Sequence, residues 1–574
     1  MANLVYALLL STSLLVGPAN ASYAFYVGKD LTADGVVMVG GTGEEVSSHW
    51  LQVFPAADHA PNATITVGVT EDAVKPGRLF QIPQVRHTWR YISMEYSDFE
   101  GFPAPLTNGG VNEKGVAVRD VWADSRSELY DMTPSPQTGL QYSDLARIVL
   151  ERAATAREGV EIIGQLIDEY GEATYGGNSH LVADKDEGWV VWEFAGGQKL
   201  WAAERLGADE VRVLYPGYIE DFPVDFKNSS KDYMGSEHLV DFAVGRGWWD
   251  PKSGEPFNIF KVYGMSGENR TARDGGFKYM SQAQLEDATR AMAPVTERDL
   301  MERVRDPRIS DDEAGYGQVV SLYPDLDPDL IRIWNAPTGS VAAPFLPTWL
   351  GVDAVLPEYG QHRYLTTGAS SSFLHPDFEL QEASVFAGRL FKRVLYYMCS
   401  APTTFHPLVT DMLVSFENQS RADVLGWVEG GARALLGKGQ RAAAKALLQF
   451  YAHTRARDAL GLGRTMTEAL DAYIKLTGGW RDPTGSQIND AGEGAETVNC
   501  LVGFDPDKPA WKQPPLFVFE EETHPPGSRH TVITSRQDSD CGQCIELLEH
   551  GGFVERYNAS LLSEIKYIQN QATI

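Results

Sequence analysis

The chain has 574 residues, a mass of 63.2 kDa and a formal net charge of −29, from 49 Lys and Arg against 78 Asp and Glu. Its hydrophobic fraction of 43% supplies ample core material, which excludes a wholly disordered chain. The acidic balance argues against nucleic acid or an anionic membrane as the main partner, because both favour clustered Lys and Arg.

Residues 1–21 have most features of a cleaved secretory signal peptide. Segment 4–17 is apolar but shorter than the ~20 residues that a membrane-spanning helix needs, and Ala19-Asn20-Ala21 is a small-x-small cleavage sequence. No Lys or Arg precedes Lys29, so the positive start is missing, and a buried terminal strand or helix is the alternative. Cleavage after this tripeptide makes Ser22 the first residue; cleavage two residues earlier is a competing register. No later segment is apolar over the length of a transmembrane helix, so none is predicted.

Two β-rich runs follow the predicted cleavage site. Tyr23–Val27 and 36–39 flank the turn signal Ala33-Asp34-Gly35, which predicts a hairpin. The next residues, Gly40-Gly41-Thr42-Gly43, lack the Gly-Lys-Ser/Thr ending of a phosphate loop. Glycines at this density favour a close approach of the backbone near a site instead.

The middle of the chain carries clear helix and strand signals. Ser143 can cap a helix over 144–154, and Thr155 begins a capping box for a second helix that ends at Gly171. Further amphipathic helices are predicted, with Gly461 and Gly463 between the last two, over 386–398, 421–436, 441–460 and 464–476. A strand pair lies at 180–183 and 189–194. Strands followed by helices indicate a layered α/β architecture.

Residues 479–574 read as a loosely ordered acidic extension that contains three of the four cysteines. The spacing of Cys541 and Cys544 is that of a redox motif, but no strand-to-helix context surrounds it and no further zinc ligands are evident. A structural disulfide among Cys500, Cys541 and Cys544 is therefore predicted for an oxidising compartment. Five sequons are candidate glycosylation sites, at Asn62, Asn228, Asn269, Asn418 and Asn558.

Ser22 has a possible chemistry if it becomes the first residue. A serine hydroxyl needs an adjacent base to act as a nucleophile, and a free α-amine with a pKa of about 7.7–8.0 is such a base on the same residue. The alternative is that serine is merely a common residue after a signal peptidase cut.

Several motifs resemble the dipeptidases related to dipeptidase A and secernin, which are N-terminal-nucleophile (Ntn) hydrolases. They are YAFYVGKDLTADG from Tyr23, His59–Pro61, IPQV from Ile82, GGVNEKGVAV from Gly109, TAREGVEIIGQLIDEYG from Thr155 and NSHLVADKDEGWVVWE from Asn178. The similarity covers roughly residues 22–475. It implies a four-layer αββα sandwich with additional C-terminal helices, hydrolysis of dipeptides, and no metal or organic cofactor. Family habit makes a homo-oligomer possible.

The resemblance also assigns roles, with two departures from the family. Ser22 stands where the family usually has the nucleophilic cysteine, and Glu44 aligns with an aspartate that contacts the α-amine in related enzymes. Glu44 and its neighbour Glu45 could equally be solvated loop acids. The resemblance favours Asn112 or Asn178 as the oxyanion donor, although loop asparagines often bond their own backbone.

The candidates for binding a substrate carboxylate are Arg86, His87 and Arg119, because arginine can pair with a carboxylate in bidentate fashion. Structural ion pairs are the alternative use of these residues. His180, on a predicted strand, is either a further substrate-binding or catalytic residue or an ordinary core histidine.

The sequence thus predicts a signal peptide at 1–21, an Ntn-hydrolase dipeptidase-like domain at 22–478 and the extension at 479–574. The predicted function is a secreted or lumenal (periplasmic, in a bacterium) dipeptidase that hydrolyses small peptide or amide bonds through Ser22. An acylase of N-acylated small molecules and a non-catalytic secreted binding protein on the same scaffold are the alternatives.

Overall fold

The computed structural model describes residues 22–44, 49–97, 101–104, 106–214, 219–264, 282–310, 314–361, 385–399 and 402–476, with two short strands at 518–520 and 532–534. The predicted signal peptide and most of the predicted extension lie outside the described residues. So do Glu45, the sequons at Asn269 and Asn558, and the three cysteines Cys500, Cys541 and Cys544.

The strands and helices alternate in blocks along the chain. In chain order the strands are β1 (Tyr23–Val27), β2 (Val37–Glu44), β3 (His49–Phe54), β4 (Ala57–Asp58), β5 (Thr64–Val67), β6 (Phe80–Pro83), β7 (His87–Thr88), β8 (Tyr91–Tyr96), β9 (Leu106–Asn112), β10 (Ala117–Trp122), β11 (Asn178–Ala183), β12 (Gly188–Glu193), β13 (Trp201–Leu206), β14 (Val211–Leu214), β15 (Tyr233–Gly235), β16 (Ala314–Leu322), β17 (Arg332–Ala336), β18 (Leu346–Trp349), β19 (Val518–Glu520) and β20 (Val532–Thr534). The helices are α1 (Ser127–Tyr130), α2 (Tyr142–Arg152), α3 (Ala156–Tyr170), α4 (Leu239–Arg246), α5 (Ile259–Tyr263), α6 (Gln282–Arg290), α7 (Glu297–Arg305), α8 (Ala387–Cys399), α9 (Pro402–Asp423), α10 (Glu429–Gly437) and α11 (Arg441–Leu476).

Two antiparallel sheets organise the described residues. Sheet A has the strand order β14-β1-β2-β16-β17-β18, and sheet B has the order β15-β13-β12-β11-β10-β9-β8-β3. In sheet A, β2 pairs with β1 on one side and with β16, some 270 residues later in the chain, on the other. The predicted first hairpin is confirmed, and β2 is longer than expected because the glycine run continues the strand.

The two sheets pack face to face between outer helical layers. Tyr26 of sheet A and Trp192 of sheet B share the apolar core between the sheets. The other face of sheet B packs on α2 and α3, with Val160 and Trp189 in that core, and the other face of sheet A packs on α7 to α11. This arrangement confirms the predicted four-layer αββα sandwich with additional C-terminal helices.

Local signals explain α3 and correct α2. The hydroxyl of Thr155 accepts a hydrogen bond from the backbone N–H of Glu158 at 3.1 Å, and α3 ends at Gly171, where φ is 89°. The helix before it begins two residues earlier than predicted and is capped by the Gln141 side chain. The predicted cap Ser143 is therefore wrong; its hydroxyl instead accepts the backbone N–H of Thr107 in sheet B.

The C-terminal helices are longer than the sequence predicts. The predicted break at Gly461 and Gly463 is wrong, because α11 runs through both glycines. A Cβ on Gly463 would lie 2.9 Å from the Phe391 ring of α8, so this glycine allows two helices to approach closely. The segment predicted as a helix over 421–436 spans the end of α9, a π-helical turn at Val424–Val428 and most of α10. No helix in the described part of the chain is long and apolar enough to cross a bilayer.

Candidate active site

Ser22 lies immediately before β1, at one end of the space between the two sheets. Because Tyr26 belongs to the inter-sheet core, strand alternation places Ser22 on the same face of sheet A. The register pairs Tyr23 with Thr42, so its continuation sets Ser22 opposite Gly43. The nucleophile that the sequence predicts therefore points between the sheets, and its side chain is half-buried.

Arg119 crosses from sheet B to sheet A at the same end. Its side chain is only 1% exposed. Its Nη1 donates to Oε1 of Gln318 at 2.8 Å, and its Nη2 donates to the Thr42 carbonyl at 3.2 Å and to the Tyr316 hydroxyl at 2.8 Å. The Nε has no partner, and none of the ion pairs found in the described part of the chain includes Arg119.

Two glycines make room for this guanidinium. A Cβ on Gly41, where φ is 151°, would lie 2.9 Å from Nε of Arg119 and 1.9 Å from the carbonyl oxygen of Tyr23. A Cβ on Gly109 would lie 3.2 Å from Nη1. The close backbone approach that the glycine run predicts is thereby confirmed at Gly41.

Asn108 lies beside Gly43 because of an irregularity in β9. Glu95 pairs with Thr107 and Met94 pairs with Gly109, so Asn108 is the extra residue of a β-bulge. Its Oδ1 accepts a hydrogen bond from the Tyr316 hydroxyl and would lie 2.3 Å from a Cβ on Gly43. Asn108 is 7% exposed.

Asn112, one of the two predicted oxyanion donors, is fully used by the fold. Its Nδ2 donates to the carbonyls of Leu150 and Ala153 at the end of α2, at 3.0 and 2.8 Å. Its Oδ1 accepts the backbone N–H groups of Lys114 and Val116, both at 3.0 Å. The structure contradicts the predicted catalytic role, because both amide N–H groups of Asn112 already have partners at the far end of β9 from Asn108.

Asn178 and His180 lie on the opposite face of sheet B, toward α2. His180 is fully buried, its Nδ1 is 2.8 Å from Oε1 of Glu193, and its Nε2 is 3.1 Å from the Tyr142 carbonyl. Asn178 donates to the same glutamate at 3.4 Å. The structure therefore contradicts an oxyanion role for Asn178 and a substrate-binding role for His180, and supports the alternative of a core histidine.

The acids around His180 are buried as well. Burial alone would lower the pKa of His180, but the charge and hydrogen bond of Glu193 raise it above its ordinary value. Asp120, the cross-strand neighbour of His180, has a pKa raised to about 7 by burial, which the charges of His180 and Arg119 oppose. These residues form a buried charge cluster on the outer face of sheet B, and Glu193 belongs to it.

Arg86 and His87 lie at the wrong end of sheet B for the predicted role. Both are exposed, and Nδ1 of His87 is 2.7 Å from Oδ1 of Asp58. They precede the start of β8 at Tyr91, whereas the site lies at its other end, about 17 Å away at ~3.4 Å per residue. The structure thus contradicts their binding of a carboxylate beside Ser22; only Arg119 among the predicted carboxylate ligands is at the site.

Three further sequence predictions concern Glu44, the disulfide and the glycosylation sites. Glu44 ends β2 next to Gly43, but its side chain lies outside the described residues, so its contact with the α-amine stays a prediction. Cys399, absent from the predicted disulfides, is disulfide-bonded. The sequons at Asn62, Asn228 and Asn418 are exposed and stay predictions.

Sequence reasoning missed three residues of the site: Asn108, Tyr316 and Gln318. Asn108 precedes Gly109 and Gly110, and glycines inside a strand pattern often mark a bulge. Tyr316 stands between Gly315 and Gly317. These signals indicate irregular strands, but they do not show that β9 and β16 meet.

Part of the chain is similar to a known protein family. Residues 23–297 match peptidase family C69. A probable dipeptidase B of Streptococcus pyogenes serotype M3 is 28% identical over 269 residues, 45% of this chain and 50% of that protein. A probable dipeptidase of Latilactobacillus sakei is 29% identical over 216 residues, 34% of this chain and 44% of that protein. The chain spans about half the length of these curated relatives.

Solved structures give a weaker similarity. A penicillin V acylase from Agrobacterium tumefaciens aligns over 57% of this chain and 86% of that chain, with a TM-score of 0.30 and 13% identity. A conjugated bile acid hydrolase from Clostridium perfringens aligns over 54% and 88%, with a TM-score of 0.27 and 10% identity.

Proposed function

Because residues 23–297 match peptidase family C69, we propose that the protein is a dipeptidase that uses Ser22 as an N-terminal nucleophile after residues 1–21 are removed. The observation that carries this proposal is the position of Ser22. It stands at the start of β1, on the inter-sheet face, one strand away from Gly43 and the polar groups of Asn108 and Tyr316. Support also comes from the family match, which begins at the next residue, and from curated relatives that are named dipeptidases.

Ser22 supplies both the nucleophile and the base of the proposed reaction. The α-amine of Ser22, with a pKa of about 7.7–8.0 before any local effect, takes the hydroxyl proton directly or through a water molecule. The hydroxyl oxygen forms a bond to the peptide carbonyl carbon, the C–N bond breaks, and the amine returns the proton to the leaving nitrogen. Water then hydrolyses the seryl ester and regenerates the hydroxyl.

The proposed location is the cell exterior or an endomembrane or periplasmic lumen. Its support is the leader-like sequence of residues 1–21 together with the disulfide at Cys399, since disulfides persist mainly in oxidising compartments. The exposed sequon at Asn62 fits glycosylation in such a compartment. Asn418 fits it less well, because the hydroxyl of Ser420 in the same sequon is buried and bonded to the Phe416 carbonyl.

The test combines the mature N-terminus with turnover. We expect N-terminal sequencing of the active protein to begin Ser-Tyr-Ala-Phe-Tyr, Ser22→Ala to lose all measurable hydrolysis, and Ser22→Cys to retain some. Ser253→Ala, a change of an exposed serine, is the matched control and should leave turnover unchanged. A panel of dipeptides and N-acyl amino acids identifies the substrate class.

Three outcomes would contradict the proposal. They are full activity of Ser22→Ala, an active protein whose first residue is not Ser22, and hydrolysis of N-acyl amino acids with no dipeptide cleaved. Sequencing of the Ser22→Ala protein must show the same cleavage site, so that lost activity is not lost processing.

A further inference from the structure

We propose that Asn108 is the catalytic residue that donates to the oxyanion, and that Arg119 and Tyr316 position it through a chain of hydrogen bonds. This inference rests on the proposed function, because it concerns the negative oxygen formed when Ser22 attacks a carbonyl. It replaces both asparagines that the sequence predicts for this role.

The bulge in β9 directs the Asn108 side chain toward the site. In a regular strand the side chains alternate between the two faces, so Thr107 and Gly109 would share one face. Thr107 instead keeps its partner Glu95 on the outer face, while Gly109 keeps its place on the inner face. The extra residue is therefore free to lean across Gly43, where a Cβ would collide with its Oδ1.

The hydrogen bonds fix which end of the amide is available. Arg119 Nη2 can only donate, so the Tyr316 oxygen accepts at 2.8 Å and the single phenolic proton goes to Asn108. This proton is received by Oδ1, with the Asn108 carbonyl also within 3.1 Å of the phenol. The Nδ2 of Asn108 is thus the last group in this series of hydrogen bonds, and no hydrogen bond from it is found among the described residues.

The positive charge of Arg119 acts on the Nδ2 of Asn108 through these hydrogen bonds. Arg119 is buried and, in the part of the chain described, is in no ion pair. A guanidinium that donates to a phenol, which donates to an amide, polarises each bond in turn and makes the terminal N–H groups stronger donors. Burial raises the pKa of Tyr316, so the phenol keeps its proton. A developing oxyanion is the charge that such an arrangement stabilises.

The first test is steady-state kinetics of the full mature protein. Asn108→Ala should lower kcat by about 100- to 1000-fold with KM changed by less than about threefold, because the lost donor acts on the transition state. Asn108→Asp keeps the shape and the bond from Tyr316 but has no N–H donor, and should lose as much. Asn418→Ala, at an exposed helix position, is the matched control and should retain full activity.

The second test separates a relay from independent contacts. Tyr316→Phe should lower kcat by roughly tenfold, the order expected for one hydrogen bond. In the Asn108→Ala background the same change should have no further effect on kcat, because the phenol acts through the amide. A fully additive loss would overturn the positioning role of Tyr316.

A binding measurement makes the inference testable without turnover. Acetamidomethylboronic acid adds a serine oxygen to form a tetrahedral anion, and calorimetry on mature protein should show at least about tenfold weaker binding to Asn108→Ala and Asn108→Asp. Unchanged kcat and boronate affinity in both variants, with Ser22→Ala inactive, would overturn the inference while the proposed function stands. No boronate binding and no turnover in the correctly processed wild-type protein would instead overturn the proposed function.

Discussion

Glu95 is a buried carboxyl group that accepts hydrogen bonds from its neighbours and is in no ion pair found in the described part of the chain. It is fully buried on the outer face of sheet B, where the hydroxyls of Ser93 and Thr107 donate to it. Burial raises its pKa to about 7, and the two hydrogen bonds oppose the shift only in part. The folded protein therefore holds a proton there at a pH at which the unfolded chain has released it.

This residue should make folding stability fall with rising pH. Since the pKa is raised on folding, its contribution is greatest below about pH 4.5 and is lost as pH rises toward 7. Glu95→Gln should flatten that part of the profile and raise the free energy of unfolding at pH 8, by up to roughly 3 kcal/mol. Urea unfolding of both proteins at pH 4, 6 and 8 measures the difference.

A variant of opposite sign controls this measurement. Arg126 holds the pKa of Glu128 to about 2 through a side-chain hydrogen bond, so Glu128→Gln should lower stability above about pH 4.5 rather than raise it. Asp120 also titrates near 7 when folded, so the decisive quantity is the difference between curves and not the slope of one curve. Parallel curves for the wild-type protein and Glu95→Gln would contradict the assignment.

Asn112 and Asn108 should give opposite results when each is replaced. Asn112→Ala removes two hydrogen bonds to the end of α2 and two within the β9–β10 turn, and should lower the free energy of unfolding by about 2–4 kcal/mol. The folded fraction should keep its kcat. Denaturant unfolding with active-site titration checks both expectations, and a large loss of kcat in folded Asn112→Ala would restore the role that the sequence predicts.

At the scale of elements, the sequence predicts those helix ends and turns that are determined by residues close together in the chain. Thr155 and Gly171 define α3 by capping, and the turn after Ala183 defines the β11–β12 hairpin, because each signal acts within a few positions. The π-turn in the C-terminal helices and the continuity of α11 depend on packing between helices. At Gly463, contact with Phe391 outweighs a helix propensity penalty of about 1 kcal/mol.

The candidate site was predictable only in part, for the same reason. Ser22 follows from a cleavage motif in the sequence next to it. Arg119 and Gln318 touch although they are 199 positions apart, and no local pattern shows that their strands face each other. Residue type alone favours Asn112 and Asn178, whereas the bulge that brings Asn108 beside Gly43 depends on how β8 pairs with β9.

Strand β2 should be sensitive to any side chain at Gly41. Gly41→Ala would place a methyl group 1.9 Å from the Tyr23 carbonyl oxygen, at a φ of 151° that favours glycine. We expect a loss of more than about 2 kcal/mol in the free energy of unfolding, and a lower kcat in the folded fraction because Arg119 is displaced. Gly245→Ala, in open space on α4, should be neutral or stabilising. Equal stabilities of the two variants would contradict the packing of Gly41.

At the scale of the whole molecule, charged side chains join layers that the sequence separates widely. Arg305 of α7 pairs with Glu417 of α9, which also accepts the backbone N–H of Phe345 at 2.7 Å. Arg332 of sheet A pairs with Glu297 at the start of α7. Each ion pair is buried and bears further hydrogen bonds, so removing one partner would leave an uncompensated charge inside the helical layer.

The disulfide at Cys399 should join that helical layer to the C-terminal segment. Cys399 ends α8 and is buried, and the other three cysteines of the chain all follow α11. A closed loop on the order of 100 residues contributes about 4–5 kcal/mol in the chain-entropy model, so reductant should lower the melting temperature of the wild-type protein. Without reductant, Cys399→Ser should already have the lower melting temperature, and added reductant should change it less. Peptide mapping without reduction should find the Cys399 peptide linked to Cys500, Cys541 or Cys544. Alkylation of Cys399 in unreduced, secreted protein would contradict both this cross-link and the oxidising compartment that it supports.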